Sequence, residues 1–276
     1  MYTTLITVPD LSKHLGDPRW VVIDCRFDLS NPEWGEEQYA IGHIPGARYA
    51  HLDRDLSGTK TGTNGRHPLP TVDEMVSRFG AMGVGPATQV VAYDADSGVY
   101  AARLWWMLRF MGHSAAAVLD GGLARWVAGS GLLQPGRVTP TPTEFQAAPR
   151  TDWRLSVDDT ARARDSLLVD ARSPERFRGI NETLDKVGGH IPGARNYFFQ
   201  QNLADDQTFK PAATLRDQWD AVLQGRRPDE VVMYCGSGVT ACHNLLAMEV
   251  AGLPGSRLFP GSWSEWSADP RRPVET

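Results

Sequence analysis

A chain of 276 residues is long enough for about two domains, each with its own core. A content of 41% hydrophobic and 22% charged residues excludes extended disorder. The net charge of −5 speaks against a nucleic-acid-binding surface and gives no reason to expect attraction to an anionic membrane. No apolar stretch approaches a membrane span; residues 104–111 come closest, and Arg109 interrupts them. Residues 1–10 lack both the basic region and the apolar core of a signal peptide. Three cysteines, an odd number, do not form a disulfide framework, so a reducing compartment, the cytoplasm, is expected.

In chain order, residues 21–24 read as a short buried strand, residues 71–82 as a helix, and residues 89–93 as a second strand. A helix over 100–111, a strand over 117–119 and a short helix after Gly122 follow. Residues 134–150 carry Pro135, Pro140, Pro142 and Pro149 without periodicity, the signature of a semi-extended linker. Beyond it the chain repeats itself. Val21-Val22-Ile23-Asp24-Cys25-Arg26 returns as Leu167-Leu168-Val169-Asp170-Ala171-Arg172. The heptapeptide Gly42-His43-Ile44-Pro45-Gly46-Ala47-Arg48 returns letter for letter at residues 189–195. Val90-Val91-Ala92-Tyr93 returns as Val231-Val232-Met233-Tyr234, and residues 119–126 return more loosely as 259–266. Two copies are too few for a solenoid, so each is read as a domain. Strands alternating with helices predict a parallel sheet with helices on both faces in each. The expected organisation is therefore two tandem α/β domains, residues 1–133 and 151–276, joined by the linker at 134–150.

The stretch that carries chemistry is Tyr234-Cys235-Gly236-Ser237-Gly238-Val239-Thr240. A β-branched run ends in a cysteine, two glycines flank a serine, and a helical pattern starts at Val239 and stops at Gly252 and Pro254. Cys235 thus falls between a strand's carboxyl end and a helix's amino end, where unpaired N–H groups favour an anion and a thiolate becomes a nucleophile. Gly236 and Gly238 let the backbone curl its N–H groups around the sulfur. The competing reading is a buried structural cysteine. The first copy has Tyr93-Asp94-Ala95-Asp96-Ser97-Gly98-Val99 at this place, with no thiol and one more residue. It is expected to keep the scaffold, lack sulfur chemistry and wall off the site.

The paired Gly-His-Ile-Pro-Gly-Ala segments, the Asp-Gly-Gly and Gly-Ser-Trp-Ser-Glu-Trp segments closing each half, and the cysteine loop together resemble the two-domain rhodanese-like sulfurtransferases. The resemblance covers essentially the whole chain. It implies two rhodanese-like domains and a persulfide mechanism, in which the cysteine takes a sulfane sulfur from a donor and passes it to a nucleophilic acceptor. The loop Cys235-Gly236-Ser237-Gly238-Val239-Thr240 is similar to that of the 3-mercaptopyruvate sulfurtransferases, whereas thiosulfate-preferring members more often carry basic residues there. The implied donor is 3-mercaptopyruvate, with thiosulfate as the alternative. The implied acceptor is a thiol, thioredoxin or cyanide, and no cofactor, metal, nucleic acid or membrane is called for. By the same resemblance Arg176 matches the arginine that grips the donor, its competing reading being an ion pair with a nearby acid. Where those enzymes place a second arginine, this chain has Glu182-Thr183-Leu184-Asp185-Lys186, and a lysine is a point charge and not a fork. Ser237, His67 and Asp53 match the positions of a serine–histidine–aspartate arrangement likened to that of serine hydrolases. A loop histidine and a turn or helix cap are the alternatives for His67 and Asp53.

Other tempting residues have structural readings. His43 and His190 occur in both halves, so they are expected to brace a loop. Cys242 and His243 are adjacent on a helix and point apart, which does not make a metal pair. Cys242 is expected in the core, no role is assigned to Cys25, and Trp105, Trp106, Trp263 and Trp266 are read as core or domain-interface residues. A cysteine phosphatase needs an arginine six residues after its nucleophile; here that residue is Ala241, which excludes the activity. A non-catalytic sulfur-carrier or regulatory binding module on the same scaffold is the remaining rival.

Overall fold

A computed structural model describes residues 1–129 and 131–276. The chain divides into two compact units. The first comprises Met1–Gly58, Pro70–Arg150 and Asp206–Thr208, and the second Thr59–Leu69, Thr151–Asp205 and Phe209–Thr276.

The first unit contains strands β1 (Leu5–Ile6), β2 (Trp20–Asp24), β3 (Arg48–Tyr49), β4 (Gln89–Tyr93) and β5 (Ala116–Leu119). They form one parallel sheet in the order β1-β5-β4-β2-β3. Its helices are α1 (Val8–Ser12), α2 (Trp34–Ile41), α3 (Val72–Ala81), α4 (Ala101–Phe110) and α5 (Gly122–Ala128). Alternation along a strand sends neighbouring side chains to opposite faces. Val22, Val91, Tyr93, Ala117 and Leu119 share a cluster with Val8 and Leu11 of α1 and Trp126 of α5. The alternate residues Val90, Ala92 and Val118 are buried too, on the face left to α4, which contacts β4 and β5. Strands buried on both faces read as continuous apolar runs, which is how they stand out in the sequence. Helix α3 starts where Thr71 and Glu74 form a reciprocal capping box.

Residues 134–150 are extended but tied down along the first unit. Gln134 and His43 exchange backbone hydrogen bonds of 3.0 and 2.8 Å. The Thr143 N–H donates to Gly80 O (2.9 Å), and the Arg150 N–H to Phe110 O (2.8 Å). Phe145 is buried edge-on to Phe79. The segment is a strap packed on the domain.

The second unit contains β6 (Leu167–Asp170), β7 (Arg195–Asn196), β8 (Val231–Tyr234) and β9 (Arg257–Leu258), parallel and in the order β7-β6-β8-β9. Its helices are α6 (Val157–Arg162), α7 (Pro174–Phe177), α8 (Ala212–Leu223), α9 (Thr240–Val250) and α10 (Ser262–Trp266). Leu168, Val232 and Tyr234 cluster with Phe259, Trp263 and Trp266, while α9 contacts β8, β9 and α8. Trp105 and Trp106 are likewise buried within the first unit. Among the described residues no helix is long and apolar enough to cross a membrane.

The repeated sequences make the same contacts in both units. Asp24 and Asp170 each hold a buried arginine two residues on, Arg26 at 2.6 Å and Arg172 at 2.7 Å. Each arginine also donates to the carbonyl preceding the repeated histidine, Gly42 O or Gly189 O. His43 stacks on Tyr39 and bonds its carbonyl through Nδ1, and His190 does the same with Phe177. Both histidines brace the loop that carries them.

Candidate active site

Strand β8 ends at Tyr234 and helix α9 begins at Thr240, so Cys235 occupies the turn between them. Its side chain is buried, and the Gly238 N–H donates to Sγ at 3.1 Å. The loop is held from outside by α10. Ser262 Oγ accepts from the Cys235 N–H (3.1 Å), while the N–H groups of Trp263 and Ser264 donate to the carbonyls of Cys235 and Gly236, each at 2.9 Å. Gly238 has φ +76°, and a Cβ there would stand 2.2 Å from Pro260 O. Only glycine fits this position. Val239 caps α9 and Thr240 opens it. Cys242 is fully buried and its thiol donates to Gly238 O at 3.3 Å.

Ser237 Oγ lies 2.8 Å from His67 Nδ1, and both side chains are buried. His67 reaches it because Thr59–Leu69 groups with the second unit: the Arg66 N–H donates to Ser264 Oγ (3.0 Å), and Gly65 packs against Gly261. Asp53 falls in the first unit, where its N–H donates to His51 Nδ1 at 3.0 Å.

Two guanidiniums flank the loop. A Cβ built on Gly236 would stand 2.7 Å from Arg66 Nη2 and 3.4 Å from Arg176 Nη2. Arg176 comes from α7, whose start Ser173 caps by accepting the Arg176 N–H. It pairs through Nη2 with Glu182 (2.9 Å) and Asp185 (3.3 Å), and Arg66 pairs with Asp185. The ion pair weighed against a donor-binding role for Arg176 is therefore present, beside the cysteine loop. Burial alone would raise the Glu182 carboxyl, but Arg176 and the N–H groups of Leu184 and Asp185 outweigh it and hold it below its usual range. Burial pushes the Asp185 carboxyl up, against the pull of Arg66. Lys186 is exposed.

The first unit carries the same turn with different chemistry. The buried carboxylate of Asp94 accepts the N–H groups of Asp96, Gly98, Tyr100 and Ala101 at 2.8–2.9 Å. The Leu123 N–H donates to Asp94 O at 2.9 Å, as Trp263 does to Cys235. An internal anion fills the cradle at the start of α4.

A rhodanese-like domain model matches residues 7–129 and again residues 156–269. The chain belongs to the rhodanese-like family. A Pseudomonas aeruginosa member of that family, provisionally named a 3-mercaptopyruvate sulfurtransferase, is 46% identical over 99% of this chain and 98% of its own. A Mycobacterium tuberculosis member with a provisional thiosulfate sulfurtransferase name is 39% identical over 98% and 96%. Among solved rhodanese-like structures, the 3-mercaptopyruvate sulfurtransferase of Leishmania major superposes with a TM-score of 0.86 at 30% identity, covering 96% of this chain and 74% of that one.

Sequence reasoning missed Arg66, Glu182 and Asp185 as neighbours of the rhodanese loop. The available signal was local only: Arg66 adjoins His67, and the two acids occupy the stretch where a second arginine was sought.

Proposed function

We propose that this rhodanese-family chain is a sulfurtransferase that moves a sulfane sulfur from 3-mercaptopyruvate, through a persulfide on Cys235, to a thiol or cyanide. The observation that carries this reading is the pairing within one loop of a sulfur held by a backbone N–H (3.1 Å) and a serine held by a histidine (2.8 Å). The names of its relatives agree with it.

In the first half-reaction the Cys235 thiolate attacks the donor sulfur and an S–S bond forms. The donor's C–S bond breaks with its electron pair passing to the enolate of pyruvate. The proton of the donor thiol ends on the methyl carbon of pyruvate, and Ser237 with His67 provides the relay for that transfer. Asp53 is the carboxylate that the family resemblance assigns to this arrangement. Arg176 and Arg66 receive the donor's carboxylate, for which a planar fork is the matching partner. The N–H groups of Gly236, Gly238, Val239 and Thr240 face the persulfide anion. In the second half-reaction the acceptor, a small thiol, thioredoxin or cyanide, attacks the outer sulfur and restores the thiolate. The domain containing Asp94 has no sulfur chemistry to offer, because a carboxylate holds the thiol's place.

Thiosulfate is the second reading. It is favoured by the two guanidiniums beside Gly236 and by the name of the mycobacterial relative. Initial rates with 3-mercaptopyruvate and with thiosulfate, each with cyanide as acceptor, decide between them. A higher kcat/KM for 3-mercaptopyruvate is expected, and a higher value for thiosulfate overturns the donor assignment.

A further inference from the structure

Residues 180–187 form a loop pinched at its neck. A Cβ on Gly188 would stand 2.8 Å from Gly179 O, and one on Gly189 would stand 2.3 Å from Glu275 O, so the neck admits only glycine. The loop's far end is fixed by the Trp263 Nε1–H, which donates to Val187 O at 2.8 Å. Its two acids share Arg176 and differ in their other partners. Glu182 is built into the scaffold: it accepts from Arg172 (3.4 Å), from Arg176, and from the N–H groups of Leu184 (2.9 Å) and Asp185 (3.2 Å). The Asp185 carboxylate instead faces the guanidiniums of Arg66 and Arg176, one oxygen to each. Its side chain is 6% exposed, so it sits inside the site and not on its rim.

The consequence is one of charge. Around the cysteine loop Arg66, Arg172 and Arg176 are matched by Asp170, Glu182 and Asp185, and Arg172 is committed to Asp170. Without Asp185 the site would carry one net positive charge, since Glu182 stays on Arg176, and that charge attracts a dianion more strongly than a monoanion.

We infer that Asp185 sets the charge selectivity of this site: by bridging Arg66 and Arg176 it admits a donor carrying one negative charge and disfavours one carrying two. This rests on the reading that the two arginines receive the donor's anionic end. Repulsion from a fixed carboxylate scales with the charge of the ligand, so a dianion is penalised twice as strongly in free energy as a monoanion. The selectivity resides in a residue outside the cysteine loop, which explains how a loop with no cation of its own can sit beside two arginines and still suit a carboxylate donor.

The test measures equilibrium binding of sulfate and of pyruvate to Cys235→Ser protein, with and without Asp185→Asn, by calorimetry. The expected result is sulfate tightened about tenfold and pyruvate about threefold by Asp185→Asn. Asp185→Glu, which keeps the charge, retains the parental ratio. Sulfate affinity that is unchanged, or undetectable in both proteins, overturns the inference, as does an equal change for both anions. The measurement involves no turnover, so it separates from the functional reading. An inactive wild type with shifted anion selectivity removes the sulfurtransferase assignment alone. An active wild type with unshifted selectivity removes the role of Asp185 alone.

Discussion

In the proposed reaction three side chains on one short loop and its neighbours divide the work. Cys235 is assigned the nucleophile, Ser237 a hydroxyl within reach of a proton acceptor, and His67 the role of that acceptor, 2.8 Å away. Their burial matters, because a proton relay open to water would exchange with solvent instead of serving the departing carbon. The two donors place different demands on it. Loss of pyruvate leaves an enolate that needs a proton, whereas loss of sulfite from thiosulfate does not. His67→Asn is therefore expected to lower kcat/KM for 3-mercaptopyruvate by about 10²-fold and to leave the thiosulfate value within a few-fold. Equal losses with both donors would mean that His67 only holds Ser237 and the loop in place.

At the scale of the element, the decisive unit is the β8–loop–α9 turn, buttressed by α10. The strand is short, apolar and buried, the helix starts five residues after the cysteine, and the turn is pinned from Ser262, Trp263 and Ser264. Its weakest point is Gly238, which combines φ +76°, contact with the Pro260 carbonyl and the N–H that meets Sγ. Gly238→Ala must shift that backbone. A displacement of about 1 Å at a reacting centre costs roughly 10²-fold in rate. The variant is expected to lose at least about tenfold in kcat/KM while retaining the far-ultraviolet circular dichroism of the parent, since α9 itself is not altered. Undiminished turnover would show that the N–H contact to the sulfur has no part in catalysis. This turn was legible in advance, because a β-branched run, a glycine-flanked polar residue and a 3.6-residue period are all local signals. The segments that were harder to read depend on contacts far along the chain. Residues 134–150 have the composition of a linker, yet Phe145 and the backbone partners supplied by Gly80 and Phe110 bind them to the first unit. Nothing near Thr59–Leu69 announces that it groups with the second unit; Ser264 and Gly261, nearly two hundred residues on, decide it.

For the whole molecule, duplication explains both the order of the chain and its asymmetry. Each copy retains the buried Asp–Arg pair, the braced histidine and the strand-to-helix turn, so each can fold around its own core. Among the differences between the copies is the group that fills the strand-to-helix turn. Asp94 fills its own anion cradle with a carboxylate, while Cys235 offers a thiol in the corresponding turn. That contrast could be read from the aligned repeats. What could not be read was that Arg66 and Asp185 flank the second cradle, because their proximity arises only when three separate segments meet. The central claim is that sulfur passes through Cys235 and through no other cysteine. The measurement that tests it most directly is the mass of the cysteine-containing peptides after brief exposure of the protein to 3-mercaptopyruvate without an acceptor. The peptide bearing Cys235 is predicted to gain one sulfur atom and to lose it on addition of cyanide, with Cys25 and Cys242 unmodified and no gain in the Cys235→Ser protein. A sulfur adduct on Cys25 or Cys242, or turnover by the Cys235→Ser protein, would contradict the account.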